Sequence, residues 1–177
     1  MEQISISEFK TPFGELILGD FQGELCLCDW KYRKMRTQID SRITSKLQAE
    51  FLEEETDLIQ ETKKQLNAYF NKDLIDFDLP LFLIGTDFQY SVWKALLEIP
   101  YGKTYSYLDL SKNLNNVKAI RAVASANGAN AISIIVPCHR IIGSSGELIG
   151  YAGGLSAKQK LLSLENSDLN NQLNLFE

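Results

Sequence analysis

Thr86-Asp87-Phe88-Gln89-Tyr90-Ser91-Val92-Trp93-Lys94-Ala95-Leu96-Leu97 is where the chain changes its period. Thr86 can cap the first amides of a helix while Gln89 reaches back to the cap, the reciprocal pattern of a capping box. Phe88, Val92, Trp93, Leu96 and Leu97 then form one apolar stripe, and Pro100-Tyr101-Gly102 ends it. Upstream of Gly85 the apolar residues mostly alternate, whereas downstream they recur at helical spacing. The fold class follows: α/β, with a small β-rich N-terminal domain ahead of a mainly helical one.

Working back from Thr86, Ile4 to Phe9, Glu15 to Asp20 and Glu24 to Asp29 read as three strands. Thr11-Pro12-Phe13-Gly14 and Gln22-Gly23 supply the turns of an antiparallel meander. Trp30 to Ile43 carries Lys31, Arg33, Lys34, Arg36 and Arg42 and reads as a solvated basic loop. A helix is expected from Thr56 to about Asn71, then one more strand over Leu74 to Leu79, closed by Pro80. Working forward, Ser106 to Asp109 repeats the capping pattern and opens a helix to about Leu114. A third helix spans about Val117 to Ala126 and stops at Asn127-Gly128, which makes a helix-turn-helix candidate. Ile132 to Val136 reads as a buried strand delivering Cys138-His139-Arg140 at its exit. Ser156 to Gln159 is a third capping box ahead of a helix carrying Glu165. The expected divisions are 1–84, 85–165 and a polar, Asn-rich tail over 166–177.

The chain has 177 residues, a net charge of −5, three cysteines and one histidine. No apolar run approaches the ~18 residues of a membrane span. Met1 to Ile6 alternates and carries an acid, unlike a secretory signal, and the few cysteines suit a reducing cytosol. The acidic balance means that any contact with nucleic acid has to come from a local patch.

That single histidine, His139, directly follows Cys138. A cysteine is nucleophilic as thiolate, and a nearby imidazole is one way to lower its pKa. Neighbours on extended backbone point apart, so contact needs the Pro137 bend or a bridging water. Glu165, on a separate helix, could orient the imidazole. A bare Cys-His pair is more often buried structure than chemistry. Cys26 and Cys28 would share one face of a strand, but no fourth ligand is visible, so no metal site is expected.

Ile135-Val136-Pro137-Cys138-His139-Arg140-Ile141-Ile142 resembles the active-site signature of the O6-alkylguanine-DNA alkyltransferases. Gly85 to Gln89 with Val92-Trp93, Ile99 to Thr104, Arg121 to Asn130, Gly150 to Gly154 and Glu165 keep that family's order and spacing. The resemblance implies DNA repair by single-turnover transfer of an alkyl group from O6 of guanine, and O4 of thymine, to Cys138 after base flipping. It implies His139 as a base acting through a water, polarised by Glu165, with Asn130 holding the active-site turn. Tyr107 would donate to the flipped base and Arg121 would fill the gap in the stack. Ala119, Ala122 and Ser125 would pack against the minor groove, where their small size allows close approach. Ile141, Tyr151, Ala152 and Ile149 would border the base pocket. No cofactor is implied; the partner is double-stranded DNA containing O6-alkylguanine, met by a cytoplasmic monomer.

Ala152 stands where the family often has serine, Ile149 where glycine is common, and Ile120 where alanine is common. These departures bear on the pocket and groove face and leave Cys138, His139 and Glu165 intact. A cysteine hydrolase would share those three residues but regenerate its thiol at each cycle. A binding-only lesion sensor would lack the cysteine, and a transcription regulator would need a further domain. Gln172-Leu173-Asn174-Leu175-Phe176 resembles the short peptide that binds the bacterial sliding clamp. Gln172 would set the register, while Leu173, Leu175 and Phe176 would be the apolar anchors.

Overall fold

The computed structural model describes residues 1–166. β1 (Glu2–Thr11), β2 (Gly14–Phe21) and β3 (Glu24–Trp30) form the expected meander. At its second turn Gln22 and Gly23 both have positive φ, and Asp20 accepts from the Gly23 amide. The sheet has a fourth strand that the alternation did not announce. β4 (Ala49–Glu53) pairs parallel to β1, giving the order β3-β2-β1-β4 in a mixed sheet. A parallel partner needs a crossover, and α1 (Arg36–Leu47) supplies it. The expected basic loop is therefore in large part a helix, with Ile39 and Ile43 fully buried beneath its charged face. α1 has no side-chain cap, so the usual start signal is missing.

α2 (Asp57–Phe70) begins at Thr56, whose hydroxyl accepts from the Ile59 amide. Ile59, Leu66 and Tyr69 enter the main core, with Leu16, Leu18, Leu25 and Cys28 of the sheet. Ile4, Phe21, Cys26, Leu27, Ile39 and Ile43 form a second cluster. A bulge between Gly19 and Asp20 breaks the alternation of β3. As a result Cys26 and Cys28 fall in different clusters rather than on the shared face expected of them. The span Leu74 to Leu79 is irregular, not a strand; only Leu81 bridges to Leu25. Its alternating apolar residues, Leu74, Phe77 and Leu79 among them, pack on the core from a loop.

α3 (Asp87–Leu97) opens with both halves of the Thr86–Gln89 capping box formed. Gly85 before it lies flat against Trp93, where any side chain would collide. β5 (Tyr105–Ser106) leads into α4 (Tyr107–Asn113), capped reciprocally by Ser106 and Asp109. A 3-10 turn over Val117–Ala119 precedes α5 (Ile120–Gly128), completing the helix-turn-helix. β6 (Ile141–Ile142) pairs parallel with β5. α6 (Leu155–Glu165) starts from Gly154 at φ 88 with no side-chain cap, so the third expected capping box is not formed. An N-terminal mixed sheet with helices is thus followed by a helical region, and one core joins them. Among the described residues, no helix is long and apolar enough to cross a membrane.

Candidate active site

Ile132 to Val136 is buried, as its composition demands, but past a single bridge from Ile132 to Cys28 it is a tight turn and not a strand. Asn130 explains the difference. Its side-chain amide donates to the carbonyls of Val136 (2.9 Å) and Ile132 (3.3 Å), and its Oδ1 accepts from the Ile132 amide (2.9 Å). Ile134 is held at φ 71, a costly conformation for a β-branched residue that persists only where its surroundings over-determine it. The turn is fastened to β3 by hydrogen bonds from Cys28 N to Ala131 O and from Ser133 N to Cys28 O. Cys138, His139 and Arg140 then occupy a 3-10 turn.

Cys138 is 5% exposed and belongs to the main core. Burial pushes its thiol up; a hydrogen bond from Asn130 and the charge of Lys158 pull the other way without overcoming it. The resting group is a thiol that needs a proton acceptor. His139 is fully buried, and its Nε2 lies 2.7 Å from Glu165 Oε1. An ionised carboxylate only accepts, so Nε2 carries the proton and Nδ1 is the basic nitrogen. Nδ1 is buried and has no protein partner among the described residues. Burial lowers the His139 pKa, with Glu165 opposing, so the ring is neutral at neutral pH.

Glu165 is ionised for a different reason. Burial works against its charge, but His139 and Arg140 outweigh burial and hold the carboxyl well below the usual carboxylate range. Arg140 grips both oxygens, from Nε to Oε2 and from Nη2 to Oε1 at 2.9 Å each, while its Nη1 donates to the Ile99 carbonyl at 2.7 Å. Tyr69 of α2 adds a hydroxyl donor to Oε1 at 2.8 Å.

The mouth of the site is the glycine-rich loop before α6. Tyr107 is partly exposed and donates its hydroxyl to the Ile149 carbonyl at 3.0 Å. Lys158 is fully buried and donates to the carbonyls of Ile149 (3.2 Å) and Gly150 (3.1 Å). Burial brings Lys158 down to about 8, with the neighbouring Cys138 opposing. Tyr151 accepts from Trp30 Nε1 at 3.1 Å, and its ring meets Trp30 edge-on. Gly153 lies so close to the Trp30 ring that a Cβ would overlap it. Ala152 is half-buried, Ile141 is fully buried under the site, and Ile149 is exposed at the rim.

On α5, Arg121, Ala122 and Ser125 are exposed while Val123 and Ala126 face the core; Ala119, just ahead of the helix, is half-buried. Ile120 and Val117 add apolar bulk to this outer face. The C-terminal carbonyls of α5 receive donors from outside the helix. Trp93 Nε1 donates to Ala126 O (2.8 Å), Arg33 Nη2 to Gly128 O (2.7 Å) and Arg42 Nη2 to Ala129 O (2.8 Å). Cations suit a helix C-terminus. Three arginines of the basic run after β3 therefore form a clamp: Arg42 reaches α5 directly, while Arg33 and Arg36 meet on the buried Asp29, which also takes the Ser133 hydroxyl.

The structure thus brings Cys138, His139, Glu165, Asn130, Tyr107, Tyr151 and Ile141 together. It places Arg121 apart on the exposed face of α5. Five side chains of the site carry no role in the sequence reading: Arg140, which adjoins His139 in the motif, and Lys158, Tyr69, Trp30 and Arg33. Lys158 did leave a trace in the sequence, because it shares the 158, 161, 162, 165 stripe of α6 with two leucines and Glu165, and a lysine on an apolar stripe is unusual. The other three act across long sequence separations and leave no local pattern. Gln172, Leu173, Leu175 and Phe176 lie outside the described residues.

Residues 87–167 match the family model for the DNA-binding domain of 6-O-methylguanine DNA methyltransferase. A methylated-DNA–protein-cysteine methyltransferase of Methanosarcina acetivorans is 45% identical over 160 residues, 90% of this chain and 96% of that protein. One from Mycobacterium tuberculosis is 56% identical over 113 residues, 64% of this chain and 68% of that protein. The crystal structure of the O6-methylguanine methyltransferase of M. tuberculosis superposes with a TM-score of 0.78 at 40% identity, covering 98% of this chain and 99% of that one. Its complex with DNA gives the same TM-score and identity over 99% of both chains. A buried cysteine, the His–Glu–Arg cluster behind it and a likeness that extends over nearly the whole chain lead to one conclusion: this chain belongs to the methylated-DNA–protein-cysteine methyltransferase family.

Proposed function

We propose that the protein repairs O6-alkylguanine in double-stranded DNA by moving the alkyl group to Cys138, once per molecule. The observation that carries this reading is the buried Cys138 thiol on the same short turn as a neutral His139, whose far nitrogen is fixed by an ionised Glu165. Nδ1 takes the thiol proton through a water while sulfur attacks the alkyl carbon. The C–O6 bond breaks and its electron pair stays on the guanine. A base inside the duplex hides that carbon from backside attack, so the nucleotide is flipped. Tyr107 donates to the flipped base after leaving the Ile149 carbonyl, and Arg121 enters the stack from the exposed face of α5. The small residues Ala119, Ala122 and Ser125 suit the minor groove, where close approach is needed, and the M. tuberculosis relative solved in complex with DNA supports a nucleic-acid partner. The thioether has no ready leaving route, so the protein is consumed. Opposite O4-alkylthymine the same displacement applies.

Intact-mass measurement after incubation with a duplex containing O6-methylguanine tests this. One methyl gained on Cys138, with product equal to protein, is expected. Product exceeding protein would mean a hydrolase-like cycle and overturn the reading.

The divisions at residues 84 and 165 follow the change from sheet to helical region and the end of α6. All three cysteines are free thiols, which suits a reducing cytosol. The protein acts as a monomer, tested by sedimentation. The tail docks on a bacterial sliding clamp through Gln172, Leu173, Leu175 and Phe176, at roughly micromolar strength. Calorimetry with the clamp is expected to lose all heat when Leu175 and Phe176 become alanine, with methyl transfer in solution unchanged.

A further inference from the structure

One oxygen of the site is over-subscribed. Glu165 Oε1 accepts from His139 Nε2 at 2.7 Å, Tyr69 Oη at 2.8 Å and Arg140 Nη2 at 2.9 Å. A carboxylate oxygen offers about two lone-pair directions, so three donors compete. Arg140 is anchored independently through Oε2 and the Ile99 carbonyl. The competition that can alter chemistry is therefore between Tyr69 and His139.

We propose that Tyr69, supplied by α2 of the N-terminal region, is a positioning residue of the reaction: its hydroxyl shares Glu165 Oε1 with His139 and sets how strongly the carboxylate holds the imidazole. The inference rests on the proposed role of His139 as proton acceptor. Tyr69 is fully buried, and its ring is fixed by Phe70, Phe77 and Tyr101 with centroids 5.3–6.2 Å away. Its hydroxyl has no freedom to seek water. A donor to Oε1 spreads the carboxylate charge and weakens the bond from Nε2–H. The imidazolium gains less from Glu165 as a result, and the ring stays neutral and ready to accept at Nδ1.

The other groups around the pair have distinct duties. Arg140 neutralises Glu165, and both Arg140 and Lys158 disfavour the imidazolium by like charge. Tyr101 points its hydroxyl to the Leu164 carbonyl at 3.4 Å, and Tyr151 approaches His139 edge-on at 6.4 Å between centroids. Cys138 adjoins the ring on the same turn. Among these, Tyr69 is the neutral donor on the oxygen that His139 uses. It links the N-terminal region to the basicity of the active-site imidazole.

The chain has one histidine, so nitrogen NMR of labelled imidazole reads His139 without ambiguity. Tyr69→Phe keeps the ring and its packing and removes the hydroxyl. Its His139 titration is expected to move up by on the order of half a pH unit, a threefold change in the equilibrium. The acid limb of methyl transfer from an O6-methylguanine duplex should move up with it. Placing 3-fluorotyrosine at position 69, a stronger donor on nearly unchanged packing, is expected to move both down. On a Glu165→Gln background, Tyr69→Phe should shift neither. A purely structural tyrosine would change stability and leave the titration fixed; an unmoved or lowered midpoint in Tyr69→Phe overturns the inference. Should the wild type gain no methyl on Cys138, the proposed function fails instead, whatever the histidine does.

Discussion

Arg33, on the loop that follows the third strand, donates to the main-chain carbonyl of Asn130 at 3.1 Å. Asn130 in turn holds the Val136 carbonyl, two residues before Cys138. The N-terminal region is therefore one hydrogen bond away from the residue that shapes the Cys138 turn. Arg33 also pairs with the fully buried Asp29, sharing that charge with Arg36.

Replacing Arg33 with Met should cost about 3 kcal/mol of stability, the scale for removing one member of a buried ion pair. Urea unfolding measures the loss, and hydrogen exchange should show protection falling over residues 128–136 first. A stability within 0.5 kcal/mol of wild type, about the scatter of ordinary surface changes, would contradict the clamp.

Lys158 serves two ends, tethering the Ile149–Gly150 carbonyls and lending positive charge to the Cys138 site. Lys158→Met should slow methyl transfer at least about tenfold, equivalent to roughly 1.4 kcal/mol. In the wild type the lysine's help should fade as pH rises through about 8, where it loses its proton. Single-turnover rates across that range check the point, and identical profiles for Lys158→Met and wild type would refute it.

Glu165 gives the protein an acid-sensitive component. Its carboxyl is depressed in the folded state from an ordinary value of 4.5. Below that value the unfolded chain binds a proton more readily than the folded one, so stability falls with pH. The contribution is complete above 4.5 and is lost as pH falls toward the depressed folded value. Glu165→Gln should be less stable at neutral pH and show a flatter acid slope in thermal melts. An unchanged slope would assign acid sensitivity elsewhere.

Arg121 stands exposed on α5, apart from the cluster around Cys138. Arg121→Ala should impair repair of duplex substrate on the order of tenfold or more while barely affecting reaction with the free base, because only the duplex has a stack to hold open. Equal losses on both substrates would make the arginine structural.

The parts of the fold that were legible in the sequence are those decided within a few residues. The capping boxes at Thr86 and Ser106 formed from a hydroxyl and an acceptor three positions on. Ser156 and Gln159 carry the same pair, but α6 already starts at Leu155, which puts Ser156 inside the helix. β4 was invisible because Ala49–Glu53 becomes a strand only by pairing with β1, nearly fifty residues away. Ile132 to Val136 looked like a strand because burial, not pairing, made it apolar; Asn130 satisfies its polar groups instead. The Cys138, His139 and Glu165 set could be named from the motif. Tyr69, Trp30 and Arg33 reach it only through the tertiary fold, and no periodicity encodes such meetings.

Cys138 packs inside the main hydrophobic core instead of on a loop above it. The alkyl transfer proposed for this sulfur would be written into the part of the molecule that keeps it folded. Adding a methyl to that sulfur enlarges a filled space, at a typical cost of about 1–3 kcal/mol. Spent and unspent copies would then differ in how often they open. A protease that samples open forms would remove used molecules first, so chemistry and lifetime share a single atom.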